Sequence, residues 1–183
     1  DLYSYNHLNP VSYLVQPLLL CKENGLTNIE NHTLLAFTAS ESLEENYKYR
    51  IYYDPATRNH NRPFKFIGLY CDRKIVAVGK LSKIICCDYE NGKLIATNGD
   101  DLKKLTEDEY KRVKEIIEIT DYYDLRHGTK FLLVEDFYKT TYKKTSVSSL
   151  RAKKYFKLDD IEGFNENMSA EQVAKLLDGK TWE

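Results

Sequence analysis

The chain has 183 residues, 42% hydrophobic and 30% charged, with 27 Lys and Arg against 28 Asp and Glu for a formal net charge of -1. This is enough apolar sequence for one self-sufficient core, so neither a disulfide framework nor a structural metal is required to hold it. Near-neutrality excludes a global field that draws the whole molecule onto a polyanion, and any such contact must rest on a local patch.

Residues 1–30 are expected to form a helical extension, and residues 31–183 one α+β domain. Asn9-Pro10 reads as N-cap and first helical residue, and Val11, Leu14, Val15, Leu18 and Leu19 follow at helical spacing. Pro17 kinks or splits this helix, and Asn24-Gly25 ends it. Two strands are expected next, one from His32 to Thr38 and one from Tyr47 to Tyr53, where rings alternate with polar groups. Asp54-Pro55 stops the second, and the polar stretch from Ala56 to Arg62 is an exposed loop.

The strongest β signal follows. Residues 63–70 form a strand, Cys71-Asp72-Arg73-Lys74 turns it, and Ile75 to Gly79 returns, continuing through residues 81–87 as a long or bent strand. Gly79 marks a bulge or a close approach. Asn91-Gly92 is a second tight turn. Thr106 and Glu109 spell a capping box. The helix behind it buries Tyr110, Val113, Ile116 and Ile117 and shows Lys111, Arg112, Lys114 and Glu118. After Gly128 comes a strand from Lys130 to Phe137, then a polar stretch. A short helix runs from Ser169 to Leu177 under a second capping box, Ser169 with Gln172, and ends at Gly179. The order lacks βαβ alternation, so a small, curled, mostly antiparallel, barrel-like sheet with flanking helices is expected. Its core draws on Phe66, Ile75, Val76, Val113, Phe131 and Leu133.

Residues 138–157 concentrate charge. Lys139, Lys143, Lys144, Arg151, Lys153, Lys154 and Lys157 occur there without one acidic residue. Tyr138, Tyr142, Tyr155 and Phe156 are interleaved, and Thr140, Thr141, Thr145, Ser146, Ser148 and Ser149 add hydroxyls. Cations neutralise phosphates, hydroxyls fix register, and aromatic faces stack on unpaired bases. DNA or RNA contact through Lys139, Tyr142, Lys143, Lys144, Arg151, Lys153 and Lys154 is therefore expected. A solvated lysine loop, or an acidic protein partner, is the competing reading.

The chain has 15 Tyr against 7 Phe and one Trp. Tyr52, Tyr53, Phe66, Tyr70, Tyr89 and Tyr155 are candidates for a pocket around a planar base, although rings along strands also serve simply as core. Glu135-Asp136 resembles half of a metal-dependent nuclease site, which gives an alternative enzymatic reading, but the pair lacks a further acid and an E-x-K strand. No P-loop, G-x-S-x-G, G-x-G-x-x-G or H-x-E pattern occurs. His7, His32, His60 and His127 are too dispersed for a ligand pair. Cys21, Cys71, Cys86 and Cys87 form no C-x-x-C, so reduced thiols, no metal and no cofactor are expected. With no membrane-length apolar run and no signal pattern, a cytoplasmic location away from the membrane is expected.

Arg62-Pro63-Phe64-Lys65-Phe66-Ile67-Gly68-Leu69-Tyr70, with Ile75-Val76-Ala77-Val78-Gly79-Lys80-Leu81, resembles the PUA-like superfamily, nearest its EVE and YTH-type members. The strand from Lys130 to Phe137 and the segment from Arg151 to Phe156 extend the likeness, which spans roughly residues 32–157. The resemblance implies a small curled barrel that reads nucleic acid, often by holding a modified base in an aromatic pocket. It also implies fusion to, or assembly with, other domains or subunits of a bacterial restriction or antiviral defence protein. The chain opens on Asp1, which agrees with the C-terminal part of a larger protein. A protein-interaction or scaffold domain of a defence complex is the other non-enzymatic alternative. Those pockets commonly use tryptophan, whereas the one tryptophan here is Trp182.

Overall fold

The structure is a computed structural model that describes residues 32–183. The helix expected from Asn9 onward and Cys21 lie outside the described residues. Thirteen elements include the strands β1 (Thr33–Thr38), β2 (Ile51–Pro55), β3 (Phe66–Cys71), β4 (Lys74–Glu90), β5 (Lys93–Ala96), β6 (Thr129–Lys144), β7 (Lys153–Lys157) and β8 (Thr181–Trp182). The helices are α1 (Leu43–Tyr49), α2 (Glu107–Ile119) and α3 (Ala170–Leu177), with short 3-10 turns at Leu102–Lys104 and Leu158–Asp160. The strands form one open, mixed sheet in the order β2-β6-β4-β3-β1-β7, with β5 joined to β4 and β8 to β6. Only β1–β3 and β6–β8 are parallel.

The two longest strands carry the architecture. The first half of β6 pairs with β2 and with the far half of β4, while its second half pairs with the near half of β4 and then β8. Register shifts at Gly79/Leu81 and Leu81/Lys83 break this ladder in the middle. Each shift bends a strand and strengthens its twist, so the sheet folds into two wings. Alternation then deals the side chains to three cores. Leu35, Phe37, Ile67, Leu69 and Ala77 from one wing meet Tyr52, Leu132 and Val134 from the other inside the bend. Outside the first wing, Leu34, Phe66 and Ile75 pack under α3 through Val173, Ala174 and Leu177. Outside the second, Ile51, Ile85, Phe131 and Leu133 pack under α2 through Val113, Ile116 and Ile117. The result is an open, curled α+β sheet rather than a closed barrel.

Both predicted capping boxes are present, and both two-residue turns are too. Thr106 accepts from the Glu109 N–H while Glu109 accepts from the Thr106 N–H, and Ser169 and Gln172 do the same. Asp72-Arg73 and Asn91-Gly92 all have positive φ, as the tightest hairpin turns require. Of the expected core residues, Val76 is only partly buried and the other five are buried.

Two expectations need correction. The alternation of residues 47–53 suggests a strand, but Tyr47 and Tyr49 belong to α1. Asn46 decides this. Its side chain is buried, accepts from Ser42 Oγ, and donates to the Ile51 carbonyl, and the chain reverses at Arg50 in the left-handed region. Finally, Arg112 is not turned to solvent. Its guanidinium is largely covered, donating to the Tyr49 carbonyl and to Asp108, and so ties α2 to α1.

Candidate functional site

Residues 138–157 are not one loop. β6 continues through Lys144, because Thr140, Tyr142 and Lys144 point inward while Lys139, Thr141 and Lys143 point outward. The polar outer face conceals this period of two. The basic side chains therefore split between two faces. Lys139 and Lys143 share the outward face with Lys74, whose register partner is Lys143. Lys144 and Lys154 lie on the other face beside Trp182, with ammonium groups 5.3 and 4.4 Å from its ring centroid. Lys153 turns elsewhere and donates to the Asn59 carbonyl at 2.6 Å.

The two faces meet at a rim built from the β3–β4 turn, the end of β6 and the loop of residues 145–152. Arg73, in that turn, donates to the carbonyls of Thr145 and Ser146 and so fastens the loop to the sheet. The rim thus gathers Arg73, Lys74, Lys143 and Lys144, and the loop fastened to it carries Arg151. Among the described residues no carboxylate forms an ion pair with any of them, or with Lys139. Asp72 lies in the same turn, and Asp178 borders the groove that Lys74 and Lys139 line. Arg73 and Lys74 lie outside the basic segment of the sequence. The two-residue turn places them at a strand end, but only the β4–β6 register sets them beside the end of β6.

Tyr142 is buried. Its ring packs against Phe156 and Trp182, and its carbonyl accepts from the Trp182 indole N–H at 3.2 Å. This geometry anchors β8 and keeps the Tyr142 face away from any ligand, against the expectation of base stacking.

The candidate pocket rings are dispersed over all three cores. Phe66 and Tyr70 lie beneath α3, Tyr53 and Tyr89 beneath α2, and Tyr52 and Tyr155 inside the bend. Tyr52 and Tyr53 line a common cleft, of about 410 Å³, with Thr38, Asp54, Arg58, Tyr122 and Tyr123. It opens where β2 faces the end of β1. Burial raises the Asp54 carboxyl, against the opposing pull of Arg58, Lys153 and Lys130. Its Oδ1 accepts from Arg58 at 2.6 Å, while Oδ2 is buried without a partner. Glu45 accepts from the hydroxyls of Tyr53, Thr120 and Tyr122, and burial lifts the Tyr122 hydroxyl to about 12.

Loop 56–62 covers the neighbouring mouth of the bend. His60 meets Phe37 and Phe64 edge-on at 5.5 and 5.6 Å, with both ring nitrogens buried and unpartnered. Lys130 and Lys153 hold the loop through the carbonyls of Arg58 and Asn59.

Glu135 is exposed and pairs with Lys80 at 2.9 Å, and Asp136 accepts from the N–H of Phe137. Among the described residues no group of three or more His, Cys, Asp or Glu is placed to hold a metal ion, and no helix is long and apolar enough to cross a membrane. Cys71, Cys86 and Cys87 are free thiols, and burial pushes Cys87 up to about 12. Compared with protein-family models, curated proteins and solved structures, the chain matches none of them.

Proposed function

We propose that this chain is a nucleic-acid-binding module that grips the phosphate backbone with its rim. One observation carries the reading. Arg73, Lys74, Lys143 and Lys144 come together from the β3–β4 turn and the end of β6, the loop fastened beside them carries Arg151, and no ion pair within the described residues neutralises any of the five. A protein of net charge -1 that leaves these cations together has built a local field for a polyanion. Ser146, Ser148 and Ser149 stand beside them as hydroxyl donors for phosphate oxygens.

The curled open sheet supports the PUA-like reading, and the cleft at Tyr52 and Tyr53 supports a pocket for one planar base, plain or modified. At about 410 Å³ it falls within the ordinary range of small-ligand sites. A role as one module of a larger restriction or antiviral defence protein follows from the family resemblance. The test is a salt titration of binding to duplex and single-stranded oligonucleotides, with and without base modification. Wild type should bind at low salt and weaken linearly on a log–log scale. If it binds none of them, the scaffold reading takes its place.

A further inference from the structure

Lys144 poses a counter-ion problem. Its residue is only 6% exposed. Lysines this deeply covered are ordinarily paired, because a buried charge without its opposite is costly. Yet no carboxylate meets it among the described residues. Its ammonium donates to the hydroxyls of Ser146 and Ser148 and lies over the Trp182 ring. The nearby Lys154 is engaged with the main-chain oxygen of Glu183 and with the same ring.

The direction of those hydrogen bonds matters. A hydroxyl that accepts from an ammonium keeps its own O–H free to donate to another group. Ser146, half-exposed, and Ser148, exposed, thus keep two O–H donors available beside a fixed positive charge. The main-chain N–H groups of Ser146, Val147, Ser148 and Ser149 find no acceptor among the described residues, and Val147 at the loop apex is 88% exposed. Arg73 holds the loop in this shape through the Thr145 and Ser146 carbonyls. The loop is a set of donors with a cation behind it, and among the described residues no carboxylate pairs with that cation, although Asp72 lines the same hollow as Ser149.

We propose that residues 145–149, backed by Lys144, seat a phosphomonoester dianion, such as the terminal phosphate of a nucleic-acid strand. A monoester offers three terminal oxygens and close to two negative charges, which suits a short arc of hydroxyl and amide donors backed by an ammonium. An internal diester offers two such oxygens and one charge. That the ligand is a strand end rests on the nucleic-acid reading, whereas the anion seat itself does not.

The test uses the whole chain and Trp182, its one tryptophan, as a built-in fluorescent reporter beside Lys144. Inorganic phosphate is titrated first. Then come three oligonucleotides of one sequence, bearing a 5′-phosphate, a 3′-phosphate or hydroxyls at both ends. One phosphorylated end should bind on the order of tenfold tighter than the hydroxyl form, as charge-assisted bonds allow. Lys144→Met should erase that preference, and it should weaken the hydroxyl oligonucleotide only as far as the loss of one rim cation does in Lys143→Ala. Ser148→Ala, at an exposed position, should cut it several-fold, and it decides the matter if Lys144→Met fails to fold. Equal binding of all three oligonucleotides with no response to phosphate overturns the seat and leaves nucleic-acid binding standing. Saturable, Lys144-dependent binding of phosphate without any oligonucleotide binding supports the seat and overturns the nucleic-acid reading.

Discussion

Phe37 on β1 stacks on Tyr52 on β2, with ring centroids 4.2 Å apart and planes 18° from parallel, although three strands stand between β1 and β2 in the sheet. No ladder joins the two wings at this point, so the ring contact does the work that hydrogen bonds do in a closed barrel. Phe37 is fully buried and Tyr52 nearly so. Phe37→Ala should therefore cost about 3–5 kcal/mol, and Phe37→Leu less than about 1.5 kcal/mol if the site repacks. Urea denaturation measures both. A cost below about 1 kcal/mol for the alanine variant would mean that other contacts hold the curl.

Gly79 tests the bend from the other side. A Cβ there would lie 2.9 Å from the Asp136 carbonyl oxygen and equally close to the Phe137 ring. Backbone cannot yield as a flexible side chain does, so Gly79→Ala should destabilise by about 1–3 kcal/mol through overpacking. A thermal melt that matches wild type would show that β4 and β6 can part here without cost.

His60 makes stability depend on pH. Burial depresses its imidazole from 6.5 to about 4, and the cations Lys130, Lys153 and Arg58 add to the effect. Between those values the unfolded chain takes up a proton that the folded chain refuses. Stability contributed by the neutral ring is present above about pH 6.5 and declines as pH falls toward 4. His60→Phe keeps a ring against Phe37 and Phe64 but cannot titrate. Its urea midpoint relative to wild type should rise between pH 7 and pH 5. A difference that stays constant across that interval would show that loop 56–62 leaves His60 open to water.

Much of this architecture could be read from residues 63–87 and from the capping boxes, because turn chemistry and cap chemistry are local. What failed was non-local. Residues 47–49 look like strand, and only Asn46, held between Ser42 and the Ile51 carbonyl, commits them to helix. The basic segment is visible as composition, but its division between two faces follows from the continuation of β6, which polar outward residues disguise. Tyr142 illustrates the same limit: a tyrosine between lysines reads as exposed until Trp182 is seen to cover it. Arg73 and Lys74 join the rim only through strand register.

The rim predicts a graded response to mutation. Lys74→Ala and Lys143→Ala should each weaken oligonucleotide binding irrespective of base sequence, and each should make the slope of log affinity against log salt shallower by about one if it meets one phosphate. Lys80→Ala is the control, since Lys80 is already paired with Glu135. Arg151→Lys keeps the charge but loses the planar fork, so a loss of affinity there without a change in slope would indicate a bidentate contact. Equal effects of Lys74→Ala and Lys80→Ala would count against the rim and in favour of diffuse attraction.

β1 also sets a schedule for synthesis. Leu34, Leu35, Ala36 and Phe37 are wholly buried, yet β1 sits between β3 and β7, and the partner of Thr33 on β7 is Lys157. At about 5–20 residues per second, a ribosome needs roughly 6–25 s to pass from one to the other. Throughout that interval one edge of an apolar strand has no neighbour. Such a strand is a site for misassociation. A nascent chain stalled before Lys153 should therefore be more prone to bind a holding chaperone than one released after Lys157.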